Sequence, residues 1–492
     1  MSLPYAIMVL TFFLAATLSK VSAKAYDCPQ PCNCYFGFQR VILSCTNKSL
    51  TEFPEFQAAE NPDTTKILLS LDGNRISALN NDSLNNLTRV VSIDLDDNPI
   101  TSAEQSWAGS ASDNSEVLKL SDTGVTEGII TMIVSKLTNL EILDISKNKL
   151  TSLVFLSSLN LPMLQSLLIN GNRQPMQTLD AVSNFPSLNT LVLSNNSIQH
   201  IEPDAFDGIT ETVTFLDLSN NNLTSTALKA LTNFSNLQSL YLNDNQLDLT
   251  ELSANLEGMA VTLTRLDISR NPLKVFPSTV LGVMMYLTTF QIDDCELREV
   301  VIPVSNSSMP KIMTLSLENN RLNATPSGIG QLSELRNLNL AGNLLNSLPP
   351  EFKDSNLLTK LTEVDFSRNL FQYPNKKLFQ RHPNIQKAVF SYGENLWAVP
   401  DYIFSLSIYL SHIDLSNNII EYIGYEAFTG IAPQAFIDLS FNRLITLHHD
   451  VLPPEPIGLR LDLQANPFKC DCHVNWLLNL SGEVIPPECS FL

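Results

Sequence analysis

Leu140 to Leu150 reads LEILDISKNKL, Leu237 to Leu247 reads LQSLYLNDNQL, and Leu335 to Leu345 reads LRNLNLAGNLL. All three fit the frame L-x-x-L-x-L-x-x-N-x-L. Working outward from them, the frame's asparagine falls at Asn74, Asn98, Asn148, Asn172, Asn196, Asn221, Asn245, Asn271, Asn320, Asn343, Asn369, Asn418, Asn442 and Asn466. Thr123, Cys295 and Gly393 hold the same place in three deviating copies, which brings the count to 17. Successive positions lie roughly 23 to 26 residues apart. A period of that size marks a unit that cannot bury its apolar face alone and must stack on its neighbours.

Within each unit the two residues of the L-x-L pair alternate with polar ones, the period-2 pattern of a short half-buried strand. Stacked units then place these strands side by side in a long parallel sheet. The asparagine follows the strand, where the chain turns away. Its amide is suited to bond backbone groups that a buried turn otherwise leaves unpaired, coil after coil. Cys295, standing in that ladder, reads as structural. The second half of each unit varies: HIEPDAF at His200 to Phe206 and SLPPEF at Ser347 to Phe352 predict short helical turns and loops, not long helices. The expected fold is therefore an α/β solenoid shaped as a horseshoe, with a long parallel concave β-sheet and short turns on the convex side. Chain length alone would suggest about three domains; the unbroken repeat predicts one array over 53–465, preceded by a cysteine-rich cap and degenerate first repeat over 24–52.

The ends carry different signals. Met1 to Ala23 has an apolar stretch, Tyr5 to Leu18, then the small residues Val21-Ser22-Ala23, which predicts a secretory signal peptide over 1–23. No later stretch is long and apolar enough for a membrane span. Cys28, Cys32, Cys34 and Cys45 precede the repeats, and Cys470, Cys472 and Cys489 follow them. A stacked array exposes apolar core at both ends, so caps are needed there, and cysteines in an exported chain read as disulfides. The C-x-C spacing beside His473 is the pattern a zinc site would use, but export and the cap position favour bridges, and no metal or cofactor is expected. Asn47, Asn81, Asn86, Asn195, Asn222, Asn233, Asn306, Asn323 and Asn479 each begin an N-x-S/T sequon and are candidate glycosylation sites. Asn195 lies just before a ladder position, near the rim of the sheet.

These features together resemble the extracellular leucine-rich-repeat proteins, over nearly everything that follows the leader. The leading C-x3-C-x-C-x10-C looks like that family's N-terminal cap, and the resemblance implies pairs Cys28–Cys34 and Cys32–Cys45. The closing N-P-F-x-C-D-C-x-x-x-W-L, Asn466 to Leu477, looks like its C-terminal cap, with Trp476 packed over the last coil. Here the pattern is incomplete over 466–492: Cys470 and Cys489 can pair, whereas Cys472 has no partner before Leu492. The expectation is a longer form that supplies the fourth cysteine.

The resemblance implies binding on the concave sheet or its edges, so the outward strand positions matter most. Asp94, Asp144, Asp217, Asp267, Asp365, Asp414, Asp438 and Asp462 sit between the inward residues and form an acidic column, which L-D-L-S repeats explain without any specificity. Departures from it are better contact candidates: Lys119, Leu168, Val192 and Tyr241, with Phe215, Arg265 and Arg270 in neighbouring columns. Tyrosine and arginine are frequent interface anchors. The pairs Asp96-Asp97 and Asp293-Asp294 would suit a basic partner. A net charge of −20 argues against nucleic acid and anionic membranes. No phosphate-binding loop, nucleophile elbow or zinc-protease motif is present, and His448-His449 reads as a solvated loop pair. The expected function is non-enzymatic recognition of an extracellular protein or peptide, as a secreted binder or a receptor ectodomain. The alternative is a structural or homophilic adhesion module, which would act as a homodimer.

Overall fold

A computed structural model describes residues 28–486 except 38, 57–65, 88, 173–177, 180–181, 183, 249–251, 304–310, 349–356, 373, 375–378, 380–381, 406, 454–457, 470–475 and 478–481. It divides into two compact units, Met1–Val213 and Thr214–Leu492. In the first, Asn33–Gly37 pairs antiparallel with Arg40–Ser44, and every later rung is parallel. The stack runs through Lys66–Ser70, Val90–Asp94, Val117–Lys119, Ile142–Asp144 and Ser166–Leu168 to Thr190–Val192. In the second unit, parallel rungs run from Phe215–Asp217 to Arg460–Asp462. One more rung, Glu483–Ile485, pairs with Arg460–Asp462 beyond the last coil expected from the sequence. Each unit is thus a parallel-strand solenoid.

The strands are short because only their middle residue must face inward before the chain turns. Leu143, Leu167, Leu191, Leu216, Leu240 and Leu266 are all 0% exposed, while the residues on either side face outward. Burying each such leucine contributes on the order of 1.5–3 kcal/mol. Behind the strands the chain returns through short pieces: the helices Glu127–Val134 and Ser278–Val283, the 3-10 turn Ser225–Leu231, and two-residue bridges such as Ala398–Val399 on Tyr422–Ile423. Phenylalanines stack from coil to coil along this return in the second unit. Phe379 lies 5.9 Å from Phe404, which lies 5.6 Å from Phe428, with nearly parallel rings.

The asparagine ladder works as its position implies. Asn148 donates from Nδ2 to the carbonyls of Leu120 (2.7 Å) and Ile145 (3.0 Å), and its Oδ1 accepts from the backbone of Thr123 and Val125. One buried amide therefore ties its own coil to the preceding one. Asn245, Asn320, Asn343 and Asn442 repeat the arrangement. The deviating copies are poorer versions of it. Thr123 donates to Leu120 at 2.8 Å, and Cys295 makes only long Sγ contacts, 3.3 Å to Asp293 O and 3.5 Å to Ile268 O. Gly393 offers no side chain; a Cβ there would meet Asn418 Oδ1 at 2.6 Å.

To aim the ladder residue inward, the residue before it adopts a left-handed conformation, with φ of 54° at Asp97, 58° at Asn195, 57° at Asp244 and 65° at Gly342. Asparagine, aspartate and glycine tolerate that region. Lys147, Arg270, Arg368, Tyr392 and Phe441 occupy it as well.

The two N-terminal bridges are Cys28–Cys34 and Cys32–Cys45, the pairing the family resemblance implied. Trp476 Nε1 donates to the Leu447 carbonyl at 3.0 Å, which attaches the C-terminal segment to a preceding coil. The leader over 1–23, Cys470, Cys472, Cys489, Asn306 and Asn479 fall outside the described residues. Among those residues no helix is long and apolar enough to cross a membrane.

Candidate partner-binding face

The outward column of the sheet has a structural job that its sequence only half announces. Asp144, Asp217, Asp365, Asp414 and Asp438 each accept the backbone N–H of the serine two residues on, at 2.9 Å. At Asp217, Asp365, Asp414 and Asp438 the serine hydroxyl bonds the same oxygen, while the Ser146 hydroxyl reaches Asn170 Oδ1 on the next coil. The acid caps the turn that leads to the ladder, so the column recurs for folding reasons, and its interruptions carry the information.

In the first unit, Lys119 stands between Asp94 and Asp144 in strict register. Its ammonium is 2.9 Å from Asp94 Oδ2. Burial works to lower that ammonium, but Asp94, Asp96 and Asp144 together hold it above the usual lysine range. Asp96 accepts from the Ser121 amide, yet burial, reinforced by Asp94, pushes its carboxyl up to about 7. Leu168 and Val192 are register neighbours. Leu168 is partly exposed, whereas Val192 is only 3% exposed, so the valine offers little surface to a partner.

In the second unit the structure brings three candidates together. Phe215, Tyr241 and Arg265 come from three adjacent strands; the Phe215 and Tyr241 rings lie 5.3 Å apart, and the Arg265 guanidinium acts on the tyrosine phenol from the next rung. Tyr241 is 9% exposed and acts as a platform, with Phe215 and Arg265 presenting the surface. Burial raises its phenol against the opposing pull of Arg265. Arg270 stands at the ladder edge, bonded through Nε and a terminal nitrogen to Asp244 at 2.5 and 2.6 Å. Asp293 is held by Ser316 and the Glu318 amide, with burial pushing its carboxyl to about 6.

Two adjoining depressions were not anticipated. One, of about 190 Å³, is lined by residues from Thr314 to Val389; the other, of about 320 Å³, includes Asp365, Lys387, Val389, Tyr392, His412 and Asp414. They share Asp365, Lys387 and Val389. The signal for them was a valine in the aspartate column at Val389, which the list of departures omitted.

Other groups suited to chemistry are engaged or inert. Cys295 is fully buried and burial pushes its thiol up to about 12. His448 and His449 stack at 4.5 Å and both bond Asp450 through Nδ1, at 3.1 and 2.6 Å. These three residues place potential metal donors within 4.8 Å of one another, but on exposed side chains already satisfied by the carboxylate. The described sequon asparagines Asn47, Asn81, Asn86, Asn195, Asn222, Asn233 and Asn323 are all exposed; Asn86 donates to the Phe56 carbonyl.

Comparison with known proteins agrees with this architecture. Residues 186–247 match the family model described as leucine rich repeat. Mouse podocan is 24% identical over 487 residues, covering 89% of this chain and 75% of podocan. Human podocan-like protein 1 is 26% identical over 333 residues, covering 66% of this chain and 60% of that protein. Among solved structures, a leucine-rich-repeat protein of Leptospira interrogans superimposes with a TM-score of 0.55 at 19% identity, over 90% of this chain and 94% of that one, a likeness of fold alone. The chain has the leucine-rich-repeat fold, carries that repeat over residues 186–247, and is similar to these relatives along most of its length.

Proposed function

We propose that this chain is a non-enzymatic extracellular recognition protein that binds another protein or peptide through the outward face of its sheet. The observation that carries the reading is the Phe215–Tyr241–Arg265 cluster: two paired rings with a guanidinium on the next rung, on three adjacent strands. Rings and arginines held in place in this way lose little conformational freedom on binding and dominate interface energetics. Lys119, Leu168 and Arg270 are secondary contacts, and glycans on the exposed sequons, Asn195 in particular, would border the face. Relatives of the extracellular class support a binding or matrix role. One of them, 26% identical and covering 73% of this chain, is named as a zebrafish transforming growth factor beta activator. A protein partner for this chain is in keeping with that name. The net charge of −20 favours a basic or neutral one.

The test is a screen of the full chain against displayed extracellular proteins, followed by variants against any ligand found. Phe215→Ala and Arg265→Ala should each weaken binding about ten-fold or more. Tyr409→Ala, exposed in the turn before strand His412–Asp414, should leave it unchanged. The reverse pattern would move recognition off the sheet. Strong self-association in sedimentation with no foreign ligand would favour the homophilic adhesion reading instead.

A further inference from the structure

The aspartate column contains three places where two aspartates flank a different residue in register. They are Asp94–Lys119–Asp144, Asp217–Tyr241–Asp267 and Asp365–Val389–Asp414. In the first, the chain supplies its own cation, and the Lys119 ammonium lies against Asp94 and feels Asp144. In the second, the central residue is Tyr241, itself 9% exposed, whose ring fills the space between the two rungs. In the third, the central residue is an apolar valine, 8% exposed, and the space above it is open. Adjacent rungs are about 4.8 Å apart, so the two carboxylates bracket this notch on either side.

Among the described residues no cation is paired with Asp365 or Asp414, although Arg368 and Lys387 both line the depression. The Arg368 guanidinium is bonded to Glu318. Lys387 stands two residues before Val389, in register with Glu363 and His412, and among the described residues it makes no ion pair. Asp365 and Asp414 each commit Oδ1 to the serine turn that follows, which fixes the carboxylate plane. At the ladder edge stands Tyr392, 59% exposed, in the left-handed position that asparagine, aspartate or glycine fills in most coils. Arg270 and Arg368 at the same position are tied to Asp244 and Glu318, whereas among the described residues the Tyr392 side chain makes no hydrogen bond and is open to solvent.

We propose that the Val389 notch is a second recognition site that takes one arginine side chain of a protein partner. The guanidinium lies between Asp365 and Asp414, in the place Lys119 occupies in its own coil, and its face meets the Tyr392 ring. Arginine fits better than lysine because a planar fork can address two fixed carboxylates while stacking on an aromatic ring. Lys387 beside the notch disfavours runs of basic residues and selects an isolated arginine. The site adds to the recognition reading and rests on it only for the source of the arginine.

The probe is the pentapeptide acetyl-Ala-Ala-Arg-Ala-Ala-amide, with citrulline in place of arginine as the uncharged control, observed by ligand-detected saturation-transfer NMR on the full chain. We expect transfer to the arginine methylenes and none to citrulline. Asp365→Asn with Asp414→Asn should weaken binding roughly ten-fold, whereas Asp438→Asn with Asp462→Asn, an equal loss of charge farther along the column, should leave it within about two-fold. Val389→Lys recreates the Asp94–Lys119–Asp144 arrangement, so it should abolish peptide binding and melt no lower than the native chain. Equal losses from both aspartate pairs, undiminished binding by Val389→Lys, or a lowered melting temperature for that variant would each overturn the proposal. The peptide result does not depend on Phe215 or Arg265, so this site and the aromatic cluster can fail separately.

Discussion

Replacing Asn442 by alanine removes a side chain that joins two coils. Its Nδ2 donates to Leu415 O at 2.9 Å, Leu439 O at 3.0 Å and Ser440 O at 3.1 Å, and its Oδ1 accepts from Ile420 N at 3.0 Å. The residue is 6% exposed, so water cannot reach all four partners once the amide is gone. Each buried group left unpaired costs about 1–3 kcal/mol, and a carbonyl that relaxes toward solvent recovers part of it. Two groups fully orphaned and two partly rescued give a destabilisation of about 3–4 kcal/mol. Coils of a stacked array can open locally, so the assay is hydrogen exchange read at individual amides. Ile420 N–H and the amides of the coil that follows should exchange at least a hundred-fold faster in Asn442→Ala, a change that corresponds to about 2.7 kcal/mol. A change smaller than about three-fold, with urea unfolding also unmoved, would show that the periodic amides do not hold the coils together.

Cys295→Asn should restore a full rung where the thiol makes only long contacts, and raise stability by about 0.5–1.5 kcal/mol in urea unfolding; a loss of stability would mean that the surrounding turn has adapted to the smaller side chain. Native Cys295 should resist thiol reagents at pH 8 until the chain unfolds, because burial pushes its thiol up to about 12. Asp96 in the folded chain titrates near 7, above its ordinary 3.8. Between pH 4 and 7 the folded state therefore holds a proton that the unfolded chain releases, and this group's contribution to stability falls as pH rises across that window. Asp96→Asn should flatten the fall and melt higher than the native chain at pH 7.5; an unchanged pH profile would place the Asp96 carboxylate in water.

The rungs and the ladder were legible because they depend on local spacing: an inward residue every second position, then a turn that needs an amide. The N-terminal bridges followed from a cap pattern contained in Cys28 to Cys45. Less legible was anything set by two coils at once. The aspartate column looked like mere repetition until Asp414 and Ser416 showed that acid and serine together close the turn. Val192 occupies an outward position by count yet is nearly buried, since exposure depends on the bulk of the rungs beside it. The Val389 notch exists only because Asp365 and Asp414, about two dozen residues away in either direction, come to stand beside it in register. Tyr392 and Phe441 were unremarkable as letters; they become unusual once the left-handed backbone at that position is known. The phenylalanine stack through Phe379, Phe404 and Phe428 was visible only as a loose motif, because the lengths of the intervening turns vary.

Recognition by the outward sheet face can be tested with a steric wedge. Arg265→Asn with Asp267→Thr creates a glycosylation site, Asn-Leu-Thr, in the middle of the face, and Val283→Asn with Met285→Thr creates one at exposed positions behind the strands. With both glycans confirmed by mass spectrometry, affinity for a ligand recovered from the extracellular screen should be lost with the first and kept with the second. Binding that survives a sugar on the sheet but not one behind it would contradict the assignment of this face.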